Sequence, residues 1–322
     1  MTGTTSPGPD CQRQPARRGI RLARMALASA IAMGLAMGTA SSAHAFEAKP
    51  FDVTELNDRA DADIARAFAG AAKEETIAVD DAAYRQFLSA YVVDRPGALN
   101  LVRYGDVTPA DREALKRQIA EWEALEWKKL TAAQKFAFFA NLYNAVTLDV
   151  VLDHYPVDSI RDIEIGTEDR GFFASLSSAF NRGPWSAKRV RIGEVELSLD
   201  DIEHAILRPM GHPRVHYAVN CASVGCPDLR PDPWAAETLD ADLDAAARAY
   251  VNSERGLRES PGGGLLASRI YDWFGEDFGG EAGLRAHLER YAEGEAAALL
   301  SGEDPEIVGY RYDWSLNDAS RQ

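Results

Sequence analysis

The sequence predicts an α+β fold: a buried central helix packed against a small, mostly antiparallel sheet, with an N-terminal helical extension. Three observations carry this. Helical and strand-like stretches alternate without a regular β-α-β period, which argues against a parallel α/β sheet. The stretch KFAFFANLYNAVTLDVVLDHYP is apolar nearly all round, the pattern of a helix buried on every side. VRIGEVEL alternates on either side of Gly193-Glu194, a two-residue turn suited to a hairpin.

Taken in order, Phe46 to about Val79 is polar and Ala-rich and reads as a partly helical lead-in. Tyr84, Phe87, Leu88, Tyr91 and Val92 then recur at helical spacing. Thr108-Pro109-Ala110-Asp111 is a helix start, with Thr as cap, Pro at the first position and Asp facing the dipole. Leu115, Ile119, Trp122 and Leu125 share one face of that helix. Thr131 followed by Gln134 forms a capping box for the central helix, which stops before Pro156. Within it, Asn141 and Asn144 lie one turn apart. Buried amides must find partners, so they either fix neighbouring loops or orient a reacting group.

Residues 166–186 read as an excursion over the core. Ser198, with Asp201 three residues on, caps LDDIEHAILR. RVHYAVN is predicted as a strand, which puts His216 and Asn220 on one face. A helix is expected from about Ala241, then a break at ESPGGG, a strand at SRIYDWF, a helix at GLRAHLERYA and an edge strand within EIVGYRYDWSLND. The resulting organisation is a leader over 1–45, the lead-in over 46–79 and one α+β domain over 80–322.

The leader prediction rests on Arg13, Arg17, Arg18, Arg21 and Arg24, the apolar run Met25–Ala40, and Ala43 and Ala45 flanking His44. The apolar run is shorter than the roughly 20 residues of a membrane span, and A-x-A is a signal-peptidase pattern. Cleavage is expected near Ala45, with a periplasmic or secreted product and no membrane span in the mature chain. Both general and twin-arginine export fit these residues. The net charge is −15, and the leader's arginines leave with it, so the remainder is more acidic still. That balance, with no basic patch, excludes nucleic acid as a partner. No phosphate-loop motif is present, and nothing calls for a cofactor. The 46% hydrophobic content supports a proper core without disulfides.

Five segments, LTAAQKFAFFANLYNAVTLDVVLDHYPVDSI, LSLDDIEHAILRP, PRVHYAVNCASVGCPDL, SRIYDWFGEDF and YRYDWSLND, together resemble the bacterial and plant family known as domain of unknown function 547. They occur in the family's order and span most of the chain from about Tyr84. The resemblance implies the domain, not a reaction. In general shape the family resembles papain-like or transglutaminase-like cysteine hydrolases. This chain departs from them in one respect: their central helix opens on a cysteine, and here it offers Asn144 and none.

The chemistry-bearing stretch is VHYAVNCASVGCPDLRPDPW. Cys221 and Cys226 are the only cysteines outside the leader, which holds Cys11. Three readings stand open. The pair can be a disulfide, the usual fate of two nearby cysteines in an exported protein. Cys221 can be a nucleophile, its thiolate favoured by His216 or by His204, with Asp200 or Glu203 orienting the ring and Asn144 or Asn220 donating to an oxyanion. Cys221, Cys226, His204 and His216 can also be a Cys₂His₂ metal set, although the usual short C-x-x-C spacing is absent. His154, His212 and His287 have ordinary structural explanations. The function expected is a thiol-dependent acyl hydrolase or transferase acting on envelope material. The alternative is a non-catalytic module that binds an envelope peptide, glycan or protein, using the aromatics of GPWS, IYDWF and RYDWSL and a structural Cys221–Cys226 bridge.

Overall fold

The core is built around one long helix, and its first turn shows why it starts where it does. In the computed structural model, which describes residues 59–74, 77–165, 183–302 and 305–321, Thr131 accepts a hydrogen bond from the Gln134 amide while the Gln134 side chain accepts one from the Thr131 amide. The expected capping box is therefore complete. The helix it opens, α4 (Ala132–His154), is buried along almost its whole length. It is the one helix among the described residues long and apolar enough to cross a membrane, and 94% of its most apolar window lies inside the protein. Its length serves the core.

Around α4 the elements follow in chain order. They are α1 (Arg59–Ala67), α2 (Ala82–Tyr91), β1 (Val92–Val93), β2 (Leu101–Val102), α3 (Pro109–Glu123), α4 itself, β3 (Val190–Ile192) and β4 (Val195–Leu197). After them come α5 (Leu239–Val251), β5 (Leu257–Glu259), β6 (Leu265–Ser268), α6 (Ile270–Trp273), α7 (Gly280–Tyr291), α8 (Gly294–Leu300) and β7 (Ile307–Arg311). Between β4 and α5 lie a π-helical segment, Asp201–Leu207, and a 3₁₀ turn, Pro213–Tyr217.

The α+β class holds. The sheet component is three small sheets: β1–β2 and β3–β4 are antiparallel pairs, and β5–β6–β7 joins an antiparallel hairpin to a parallel strand. The main partners of α4 are α3 and the π-helical segment. Thr108 caps α3 as expected, and Leu115, Ile119 and Trp122 are buried on its inner face. The hairpin turns at Gly193, whose φ of +63° needs a residue without Cβ. Asp149 and Asp153 of α4 draw Lys116 and Arg189 onto the helix's last turns.

Two expected strands are not strands. RVHYAVN forms the 3₁₀ turn, and IYDW of the second stretch forms α6. In the first, Val215, His216, Tyr217, Ala218 and Val219 are all buried, so alternation of type does not mean alternation of exposure. The turn sits between two hydrophobic clusters. Val215 and Ala218 join the larger one around α4, whereas Tyr217 joins the smaller one formed by α5, α7 and the three-stranded sheet. Pro213 at the first position fits a helical turn and lacks the N–H a ladder needs. The other expectations hold: the helix beginning near Ala241 is α5, GLRAHLERYA lies in α7, ESPGGG lies in the β5–β6 connection, and the C-terminal strand is β7. The leader, most of the first half of the lead-in, and 166–182 of the expected excursion lie outside the described residues.

α1 is held from below by a lone cation. Lys135 of α4 is buried and donates to the carbonyls of Phe68 and Gly70, just beyond the end of α1. Burial lowers its pKa to about 8.

Candidate functional site

The thiol-bearing loop hangs from α4 by side-chain amides. Asn144 donates to the Ala218 carbonyl (2.9 Å) and accepts from the Asn220 amide (2.8 Å). Asn220 in turn donates to the Pro227 carbonyl (2.7 Å) and accepts from the Ala222 amide (2.8 Å). Asn141 does the same one turn earlier, exchanging two bonds with the backbone of Trp234. All three asparagines are buried. Asn144 thus spends its oxygen and one amide hydrogen on shaping the loop, which makes it a positioning residue. The loop itself is sharp: Ala222 adopts φ +61°, the left-handed region that L-residues other than Gly visit rarely.

A second strip of chain closes the loop from outside. Val224 and Gly225 donate to the carbonyls of Ser315 and Asp313, and Asn317 donates to Ala222. Ser223 and Leu316 form an antiparallel bridge. A Cβ on Gly225 would come within 2.8 Å of the Asp313 nitrogen and 2.9 Å of the Tyr312 ring, so only glycine permits this approach.

Inside the loop the two sulfurs lie 2.7 Å apart as free thiols, without the bridge that the disulfide reading expected. The Cys221 amide donates to Cys226 Sγ (3.0 Å). The Tyr312 hydroxyl lies 3.1 Å from Cys221 Sγ and 3.0 Å from Cys226 Sγ. Ser223 Oγ lies 3.3 Å from Cys221 Sγ. Burial opposes ionisation of both thiols, but the remaining contacts separate them. Cys226 receives hydrogen bonds from the Cys221 thiol, from Tyr312 and from the backbone of Cys221 and Ser223, and its pKa falls below the ordinary thiol value. Burial and the adjacent Cys226 push that of Cys221 well up. Of the two sulfurs Cys226 is the one whose ionisation these donors favour, the Cys221 thiol and Tyr312 first and the backbone of Cys221 and Ser223 after them.

The facing wall holds an imidazole between two carboxylates. The π-helical segment begins after the Ser198–Asp201 cap and carries Glu203 and His204 into the cleft, with Asp200 just before it. His216 is buried, stacked on Phe274 (centroids 4.2 Å apart, planes 15° apart). Its Nε2 lies 2.7 Å from Asp277, and its Nδ1 lies 4.0 Å from Glu203. Arg208 grips the same Asp277 with two bonds of 2.6 and 2.9 Å. Burial alone would raise Asp277, but the bonds from His216 and Arg208 outweigh it and hold this carboxyl well below the usual range. Glu203 goes the other way: burial raises it more than His216 and Arg208 lower it, and Tyr143 bonds to it. Burial lowers His216. With Asp277 ionised, the imidazole donates from Nε2 and presents Nδ1 as an acceptor toward Glu203.

Both walls line one cleft, together with Tyr143, His204, Trp185, Trp273, Phe274, Tyr312 and Trp314. Its cavity of about 40 Å³ admits a few waters or the reacting group of a ligand. Cys221, Cys226, His204, His216 and Glu203 are thus brought together, while Asn144 stands behind the loop. The two sulfurs bond to each other, to Ser223, to Tyr312 and to the Cys221 amide. His204 lies beside Asp200 (3.8 Å) and Arg208 (3.3 Å). Among the described residues no three His, Cys, Asp or Glu side chains are arranged to hold a metal ion, so Cys221, Cys226, His204 and His216 do not form a ligand set. His287 packs on Tyr217, with Nε2 2.8 Å from its hydroxyl.

Sequence reasoning missed Tyr312, Asp277 and Tyr143. Tyr312 and Asp277 sit in YRYDWSLND and SRIYDWFGEDF, stretches that stood out as family-like and aromatic but not for either residue. Nothing local marks either as a partner of residues about 60 to 90 positions earlier.

The family model described as protein of unknown function, DUF547, matches residues 127–251, and that stretch is similar to this family. It contains α4, the π-helical segment and the thiol loop. Asp277 and Tyr312 lie beyond it. No curated protein and no solved structure matches the chain.

Proposed function

We propose that this DUF547-bearing chain is an exported thiol-dependent acyl hydrolase or transferase whose nucleophile is the thiolate of the Cys221–Cys226 pair. One observation carries the reading: a thiol held below its ordinary pKa by fixed donors shares a narrow cleft with a raised carboxyl and an oriented imidazole. A low-pKa thiol in a cleft is a good nucleophile, and a carboxyl raised by burial stays protonated long enough to act as an acid. Cys226, at the floor, is the sulfur whose ionisation the donors favour, with Cys221 as the more open partner. In the reaction the thiolate attacks the acyl carbon of an amide, ester or thioester. The sulfur–carbon bond forms, the bond to the leaving group breaks, and Glu203 gives that group its proton. Water or another acceptor, deprotonated by the Glu203 carboxylate, then attacks the thioester; the acyl–sulfur bond breaks, the thiolate leaves, and Glu203 is again protonated. His216, fixed by Asp277, keeps the polarity of this wall constant through the cycle. Export rests on the basic leader, the short apolar run and the A-x-A site near Ala45, which suit an envelope substrate.

The experiment pairs Cys226→Ser with Cys221→Ser and follows thioester formation with a panel of activated acyl esters by intact mass. The wild type should acylate, Cys226→Ser should lose at least ~10³-fold in rate, and Cys221→Ser should keep most of it. A wild type that never acylates sinks the proposal. The second reading is a non-catalytic binding module. It is favoured by the aromatic wall of Trp185, Trp273, Tyr312 and Trp314. On that reading both serine variants keep their ligand and lose only stability.

A further inference from the structure

We propose that Tyr312 is the catalytic residue that holds the thiolate, so that the C-terminal segment completes a site which the family-matched stretch leaves unfinished. The inference rests on the thiol reading above and assigns a role in the reaction to one of the donors that reading groups together. From outside the loop, the Tyr312 side chain reaches both sulfurs, at 3.1 and 3.0 Å. It lies about 60 residues past the matched stretch, which ends at residue 251.

Its placement is built, not incidental. The segment after β7 is laced to the loop by the backbone bonds of Val224, Gly225 and Asn317, and Gly225 leaves room for the Tyr312 ring. Trp273 and Trp314 pack against that ring at 5.0 and 4.6 Å and fix the direction of the hydroxyl. Burial keeps the phenol protonated, so it acts as a donor. It has one hydrogen for two sulfurs, and the charged one takes it. When the sulfur attacks, its charge moves to the acyl oxygen. The Tyr312 bond to sulfur weakens, and the hydroxyl proton is free to follow the charge. Tyr312 therefore sets both how much thiolate is present and how readily it is spent.

The test reads thiol ionisation directly and needs no acyl substrate. The fully reduced, full-length protein is alkylated with iodoacetamide across a pH series, and modification of Cys226 is followed by peptide mass. Tyr312→Phe keeps the ring contacts and removes the donor. Its midpoint should rise by about one pH unit, equivalent to roughly tenfold less thiolate well below it. Incorporating 3-fluorotyrosine at position 312, a stronger donor of nearly the same shape, should move the midpoint down. Tyr310→Phe, on the exposed edge of β7, should leave it where it is. A folded Tyr312→Phe protein with the wild-type midpoint overturns the proposal, as does a fluorotyrosine protein whose midpoint does not fall. Either result alongside intact acyl turnover leaves the proposed function standing. Absent turnover with the expected midpoint shifts sinks the function and keeps Tyr312.

Discussion

The two walls of the cleft reach a similar end by different means. On the thiol wall, backbone shares the work with Tyr312 and the Cys221 thiol: the amides of Cys221 and Ser223 point at Cys226 because the loop turns sharply there. On the opposite wall, charge is stabilised by side chains from distant elements: Asp277 meets His216 and Arg208 across more than sixty residues. A backbone-built site is only as good as the loop's shape, so it depends on whatever fixes that shape. A side-chain-built site depends on each partner being present. Substitutions should therefore hurt the two walls in different ways.

The largest stability effect should come from Asp277→Asn. It takes the charge and one of two accepting oxygens from the carboxyl that Arg208 and His216 share, at a cost of about 2–3 kcal/mol in denaturant unfolding. The thiol midpoint should not move. A variant that unfolds at the wild-type denaturant concentration would remove the distinction between the walls.

Asn144→Ala should come next. It removes two buried bonds to the loop backbone, and some of that loss is recovered as the loop relaxes, so about 2 kcal/mol is expected. Here the signature is on the thiol side. Alkylation of Cys226 should shift to higher pH, because the loop amides no longer converge on the sulfur. An unchanged midpoint would mean that the C-terminal segment alone holds the loop.

The smallest effect is a pH dependence with opposite signs at the two carboxylates. Asp277 has a folded pKa below its unfolded value, so its contribution is complete above about pH 4 and is lost as pH falls through the lower folded value. Glu203 has a folded pKa above its unfolded value, so the folded state holds the extra proton, and stability falls as pH rises from about 4.3 through that raised value. Glu203→Gln should flatten the second limb and leave the first. Urea melts between pH 3 and 7 would show it, and a variant that still loses stability over the upper part of that range would refute the assignment.

Much of the frame was legible in the sequence because its signals are local. Thr131 and Gln134 mark a helix start within four residues, Thr108 and Pro109 mark another, and Gly193 marks a hairpin. The apolar run of α4 identifies a helix buried on all sides. The pairing of Asn144 with a loop was legible as a need for partners, though not which partners. RVHYAVN was misread because a fully buried segment carries no exposure pattern. Its neighbours on both sides, and Pro213 at its start, decided for a turn.

By itself, the sequence determined where the central helix runs, that the protein is acidic and rich in core-forming residues, and that Cys221, Cys226 and a set of histidines and acids are available. Tertiary structure alone decided their roles. Whether a thiol ionises depends on which donors face its sulfur, and whether a carboxyl keeps its proton depends on how dry its surroundings are. Both are set by contacts across the chain: Tyr312 with Cys226, Asp277 with His216, Tyr143 with Glu203. Residue type fixes what a side chain can do, and only the folded neighbourhood fixes the free energy of its charge.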